Sequence, residues 1–313
     1  MIATFFTAVF SSTYWFGSWL NTATLITIAT LGASIALQSG NMNLGGESQI
    51  YLGGFITAIS FNYFLHPQST QSSSFIILLI VICVLFIVLF VGALVPLLAA
   101  ILKQWHNINE MITTFLFSAA IIPILNYAVT GPFRDSSQNL LATPEISDKV
   151  KLSHLLSVSD LNTSLYISII VTILIAFILY KTRKGLQFRI CGRAPEFAFA
   201  AGLNVKASSY TGMAISGALH AFTGFIAVIG TYYSCYQDFY VGLGWNALSA
   251  ALIVHSNPLL AIPVSLLLAF IYTSSDAVML TTGMSFNFEA LIQGIILFIV
   301  SMHIVKRQVR IKT

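Results

Sequence analysis

Residues 73–102 read SSFIILLIVICVLFIVLFVGALVPLLAAIL, an apolar run without one charged side chain. About 20 apolar residues in helical form cross the hydrocarbon of a bilayer. This run is therefore long enough to span, with length to spare for a strong tilt or a kink at Pro96. A water-soluble protein carrying many such runs would have too little polar surface to face water, whereas a bilayer accepts an apolar exterior.

The rest of the chain repeats the pattern. Comparable runs cover Ile2 to Gly17, Thr22 to Gln38, Gln49 to Leu65, Ile108 to Thr130, Leu161 to Tyr180, Tyr210 to Gly230, Trp245 to Val254, Leu259 to Ser274 and Phe288 to Val305. Several are short or interrupted, so the expectation is an all-α polytopic membrane protein of about eight to ten transmembrane helices. Composition agrees: of 313 residues, 57% are hydrophobic and 8% charged, against about a quarter charged in a soluble domain. The N-terminal run lacks a basic lead-in and a small-residue cleavage site, and reads as a retained membrane segment. Cys83, Cys191 and Cys235 lie far apart, with no metal-type or disulfide-type spacing, and read as small apolar fillers.

Orientation follows from Lys and Arg, which concentrate in cytoplasmic loops. Lys181, Arg183, Lys184, Arg189, Arg193 and Lys206 follow one span, and Lys306, Arg307, Arg310 and Lys312 end the chain. Both regions are expected inside. The segment from Gly131 to Asp160 mixes Arg134, Lys149 and Lys151 with Asp135, Glu145, Asp148 and Asp160, which suits the outside. A count of about ten crossings satisfies all of these placements and puts both termini inside. The net charge of +4 is then explained by inner loops, without a nucleic-acid footprint. Tyr14, Trp15, Trp19, Tyr232, Tyr233, Tyr236 and Tyr240 read as interfacial belts.

Three segments can carry mechanism. Ser39 to Gly54, SGNMNLGGESQIYLGG, is poor material for a continuous helix, because glycine and asparagine both disfavour it. A break at membrane depth can line a translocation path. Asn43, Gly45, Glu47 and Gln49 are the candidates here, with Asn109 and Glu110 at the start of a later span. The plainer alternative is an inner loop with a helix starting near Gly45 and Glu47 favoured at its positive end. In Lys181 to Ala207, Pro195 and Glu196 suit a helix start, and Gly202 with Asn204 suits a stop. A short helix from about Pro195 to Ala201 results, exposing Phe197 and Phe199. It reads equally as a docking knob or as an interfacial helix on anionic lipid. Gly242 to Pro258 is rich in small residues that permit close packing.

Glu47, Glu110, Asp276 and Glu289 are acidic groups near the membrane, and such charge is costly and tends to be functional. His220 and His255 in apolar helices are more often hydrogen-bonded packing residues than ligands. The sequence offers no metal site and implies no cofactor. It contains no phosphate loop, nucleophile elbow or HExxH pair, so neither ATP hydrolysis nor hydrolytic chemistry can be placed in it.

These segments resemble one family. The element N-I-G-x-E-G-Q is similar to Asn43 through Gln49, N-E-V-I-S-T to Asn109 through Thr114, and V-T-G-P-x-R-D to Val129 through Asp135. T-x-x-G-x-x-x-R-x-x-G-x-x-P appears at Thr182, Gly185, Arg189, Gly192 and Pro195, followed by Ala200 to Asn204. S-G-A-L-A-G is similar to Ser216 through Ala221, and G-x-G-F-x-x-I-A-V-A-L-L to the run from Gly242. The chain thus resembles the permeases of nucleoside-type ATP-binding cassette (ABC) importers, relatives of the branched-chain amino acid, monosaccharide and riboflavin permeases.

That resemblance implies a single permease domain over residues 1–313, in the bacterial cytoplasmic membrane, with a cytoplasmic coupling loop at 181–207. It implies a cytoplasmic ATPase, a second permease that is usually a distinct chain, an external solute-binding lipoprotein and a small-molecule solute, with lipid around them. The resemblance also resolves the short helix toward docking, and Arg193, Pro195, Glu196, Ala200 and Gly202 are the coupling residues it implies. Alternating access is the expected mechanism. Ser48, Ser118, Ser249 and His255 depart from the family pattern, and weaken a direct transfer of nucleoside specificity. A nucleoside ranks first as solute, riboflavin close behind, a sugar or amino acid third. An ion-coupled transporter using Glu47 or Asp276 is the competing class.

Overall fold

The computed structural model describes residues 2–65, 73–240 and 242–282, together with 294, 295 and 298. The expected span from Phe288 to Val305 falls almost wholly outside these residues, as do Glu289 and the basic tail. Every regular element among the described residues is a helix: α1 (Ile2–Ala8), α2 (Thr13–Gln38), α3 (Gly46–Phe64), α4 (Ser74–His106), α5 (Glu110–Thr130), α6 (Ser164–Lys181), α7 (Arg183–Arg193), α8 (Pro195–Ala200), α9 (Val205–Ala227), α10 (Leu243–Ile253) and α11 (Pro258–Thr282). A π turn, Val228–Tyr232, prolongs α9. Among the described residues six helices are long and apolar enough to span: α2, α4, α5, α6, α9 with its π turn, and α11.

The first expected span is corrected. The chain turns back after Ala8, with Phe10 N–H on the Thr7 carbonyl at 3.0 Å. Ser12 then caps α2 by accepting the Trp15 N–H at 3.3 Å. A helix as short as α1 rises only about 10 Å, too little to cross. Phe5, Phe6 and Phe10 instead pack on Phe270 of α11. The crossing count loses its first member, and the parity argument that placed the N-terminus inside goes with it.

Burial separates two kinds of helix. The central pair, α2 and α9, is buried along most of its length. By contrast α4 buries only a stripe, Val84, Val88, Gly92, Pro96, Ala99 and Ala100, at the spacing of one helix face. Its remaining faces expose Phe86, Phe90 and Leu94, as a helix against lipid should. Gly92 on the stripe meets Gly217 of α9 backbone to backbone, the close approach that small residues permit.

The contacts also reveal an internal repeat. A long helix, a non-helical stretch, a shorter helix and a further long helix occur as α2, 39–45, α3, α4, and again as α9, 233–240 with Gly242, α10, α11. Helix α3 packs on α9 as α10 packs on α2, and α4 packs on α9 as α11 packs on α2. The first break lies at the end of the bundle that carries α7 and α8, and the second lies at the opposite end. The halves therefore run in opposite directions, the inverted arrangement of many transporters.

The segment 131–163 closes the end away from α7. It bonds along the second break, with Thr143 N–H on the Cys235 carbonyl at 2.9 Å and Ile146 N–H on the Tyr233 carbonyl at 2.8 Å. Lys151 pairs with Glu145 at 2.6 Å and with Asp148, and its ammonium stands 4.8 Å from the Tyr233 ring centre. Burial alone would depress the Lys151 ammonium, but the two carboxylates outweigh it and hold it above its ordinary 10.5.

Candidate functional site

The break expected near Asn43 is present. Helix α2 ends at Gln38, residues 39–45 run without helix, and α3 begins at Gly46. The second break follows the π turn. It contains two non-glycine residues of positive φ, Tyr233 and Asp238, and hands over to α10 through Gly242.

The two new helices start against each other. A Cβ on Gly244 would collide with the backbone nitrogen of Glu47, so the first turns of α3 and α10 meet without side chains between them. The Gly242 N–H donates to Glu47 Oε1 at 3.1 Å. Each helix directs its positive end here, and a carboxylate at such an end gains about 0.3–1 kcal/mol, more when partly buried.

One side of this meeting point is a knot of buried amides. The Gly45 N–H can only donate, and it reaches Asn43 Oδ1 at 3.0 Å, which fixes how the Asn43 amide is turned. Asn43 Nδ2 then donates to Gln49 Oε1 at 2.8 Å and to Ser216 Oγ at 3.0 Å, while Gln49 Nε2 returns a bond to Asn43 Oδ1 at 3.0 Å. His220 Nδ1 lies 2.9 Å from the same Gln49 Oε1. Because that oxygen can only accept, the assignment puts the proton of a neutral His220 on Nδ1. The sequence-based reading of His220 as a bonded packing residue agrees with this. Asn43, Gly45 and Gln49 are buried in protein, and they pin the first break to α9.

The other side is a second polar chain. Tyr51 O–H donates to Asn126 Oδ1 at 2.7 Å, Asn126 Nδ2 donates to Asp238 Oδ1 at 3.0 Å, and Tyr240 O–H reaches the same oxygen at 3.2 Å. Glu47 and Asp238 are both half-buried. Carboxylates this deep in an apolar bundle are costly unless paired or wet, and they mark pathways in transporters. The sequence reading missed Asn126, Ser216 and Asp238, and placed Tyr240 in an interfacial belt. Tyr240 instead packs 5.0 Å from Tyr51, ring centre to ring centre, because the second break re-enters the bundle. The available signal was the pair of glycines at the start of each helix, Gly45 and Gly46 in one half and Gly242 and Gly244 in the other.

Glu110 and Asn109 stand apart from the meeting point. Asn109 is an exposed cap that accepts the Met111 N–H at 2.9 Å. Glu110 pairs with Lys103 at 2.7 Å, and Lys103 also donates to Asn41 Oδ1 at 2.9 Å, so Glu110 reaches the first break through that lysine. Ser209 Oγ adds a bond to the same Asn41 oxygen at 2.8 Å.

The residues that the resemblance implies for coupling share one exposed surface. Arg193 ends α7, Pro195 and Glu196 open α8, Ala200 closes it, and Gly202 follows at φ +76°. Helix α8 exposes Phe197 by 64% and Phe199 by 79% and buries Ala198 completely. Helix α7 was not foreseen; Thr182 starts it by accepting the Gly185 N–H at 3.1 Å. No three His, Cys, Asp or Glu side chains among the described residues are grouped to hold a metal ion.

Comparison with known proteins bears on the whole chain. The family described as "Branched-chain amino acid transport system / permease component" matches residues 16–301. The "Probable riboflavin import permease protein RfuC" of Treponema pallidum (strain Nichols) is 34% identical over 96% of this chain and 78% of its own length. The guanosine ABC transporter permease protein NupP of Bacillus subtilis (strain 168) is 22% identical over 78% of this chain and 69% of its own. The nucleoside ABC transporter permease protein NupB of Lactococcus lactis subsp. cremoris (strain MG1363) is 24% identical over 83% and 71%. No solved structure matches the chain.

Proposed function

The chain belongs to this permease-component family, as a multi-pass subunit of an ABC importer in the bacterial inner membrane, and from that premise we propose that its solute is riboflavin. The observation that carries the choice is the 34% identity to a riboflavin import permease across 96% of the chain. The guanosine permease NupP and the nucleoside permease NupB reach 22% and 24% over less of it. This reverses the order expected from sequence motifs, in which a nucleoside came first. Family membership displaces the ion-coupled alternative.

On this reading residues 1–313 act as one membrane domain whose surface at 181–207 receives an ATPase carried by a separate subunit. A second permease, distinct from this chain, completes the path, and an external lipoprotein delivers solute. The meeting point of α3 and α10 borders the path, with Glu47 and Asp238 as its polar lining. Two half-buried carboxylates suit a solute with a hydroxylated chain, because a carboxylate accepts charge-assisted bonds from hydroxyl groups. Asn43, Gly45 and Gln49 support that lining from behind, while Glu110 acts on the first break through Lys103 and Asn109 caps α5.

The test is uptake into vesicles holding the complete importer, with ATP inside or outside. The expected result is saturable, ATP-dependent riboflavin uptake that guanosine competes with weakly and that an ionophore leaves intact. ATP-dependent guanosine uptake without riboflavin uptake would overturn the choice of solute.

A further inference from the structure

We propose that the backbone contact between Gly40 and Gly192 is the joint through which the α7–α8 surface drives both chain breaks, with Gln38 and Lys103 as its positioning residues. The inference rests on the reading that an ATPase engages α8.

The contact leaves no slack. A Cβ on Gly192 would collide with the Gln38 carbonyl oxygen and stand 2.8 Å from the Gly40 nitrogen. Gly40 has φ +78°, and a Cβ there would stand 3.0 Å from the Gly192 Cα. Two main chains therefore touch with no side chain between them. A flexible side chain could absorb a small displacement by changing rotamer, but touching main chains transmit it.

The input side is stiff. Only Ala194 separates α7 from α8, and the bonds run through it: Ala194 N–H to the Ile190 carbonyl at 2.9 Å, and Ala198 N–H to the Ala194 carbonyl at 2.9 Å. A push on Phe197 or Phe199 is thereby delivered to Gly192.

The output side branches to the first break directly and to the second through α10. Gln38 Nε2 donates to the Ser256 carbonyl at 3.0 Å, in the turn that follows α10. Along the chain, residues 39–45 lead to Asn43 and then to Glu47 at the start of α3. Lys103 braces this second branch by holding the Gly40 carbonyl at 3.4 Å, Asn41 and Glu110 together. One displacement at Gly40 thus reaches the far end of α10 and the near end of α3, the two helices whose first turns meet at Glu47 and Gly242.

The test measures ATP hydrolysis and solute uptake in the same vesicles, for the complete importer carrying Gly192→Ala, Gln38→Leu or Lys103→Met. The readout is solute moved per ATP hydrolysed, a ratio that loss of folded protein does not change. The expected result is a ratio reduced roughly tenfold with basal hydrolysis retained, within the usual range of coupling between sites. Gln38→Leu adds no bulk, so it carries the test if Gly192→Ala fails to assemble. Parent vesicles that take up solute on ATP, beside variants of unchanged ratio, would overturn the joint alone. Parent vesicles with no ATP-dependent uptake would overturn the importer reading itself.

Discussion

Glu47 Oε1 accepts the Gly242 N–H at 3.1 Å and so joins two helix starts separated by 195 positions in the chain. The carboxylate faces the positive ends of both α3 and α10, which is why an acidic residue is tolerated there.

Removing that carboxylate should cost stability in proportion to what replaces it. Glu47→Gln keeps an acceptor oxygen and is expected to cost about 1 kcal/mol, whereas Glu47→Ala leaves the Gly242 N–H unsatisfied and costs about 1–3 kcal/mol. Thermal unfolding of the purified protein in detergent measures both, and equal costs would show that the bond contributes nothing.

The amide knot should behave as a unit. His220→Ala and Asn43→Ala each leave Gln49 short of partners, at a cost of about 1–3 kcal/mol apiece. The double variant is expected to lose less than the sum, since residues in one network couple by about 0.5–3 kcal/mol. Strict additivity in a double-mutant cycle would mean that the two side chains act independently.

Asp238 should matter more to transport than to folding. In Asp238→Asn the side-chain oxygen still accepts from Asn126 and Tyr240, so the melting temperature should move little. If Asp238 lines the path as proposed, loss of its charge is expected to lower uptake roughly tenfold, the equivalent of about 1.4 kcal/mol. A large drop in melting temperature with normal uptake per folded molecule would reassign Asp238 to a structural role.

The two aromatic side chains of α8 should be dispensable for the permease and needed for its partner. Phe197 and Phe199 are exposed by 64% and 79%, so changing both to serine removes little packing. The expected outcome is an unchanged melting temperature with the ATPase no longer co-purifying. Undiminished co-purification would place docking elsewhere.

Hydropathy and punctuation made much of the fold legible. The break after Gln38 and the start of α3 near Gly45 were readable from glycine and asparagine, and α8 from Pro195 and Gly202, because these residues act on their own backbone. The short helix α1 misled for the complementary reason: its residues are apolar enough to span, and only the turn at Phe10 and the cap at Ser12 stop it. Asp238 was passed over because its neighbours, Tyr236 and Tyr240, look like residues of a membrane interface when seen in one dimension.

An apolar, helical, membrane-crossing chain with basic residues to one side could be read directly from the residues, since transfer to lipid adds up along the chain and needs no partner. The meeting of Glu47 with Gly242, the proton on Nδ1 of His220 and the contact of Gly40 with Gly192 came only from the folded molecule. Each depends on groups far apart in the chain being brought within bonding distance, and no local preference specifies which of them will meet.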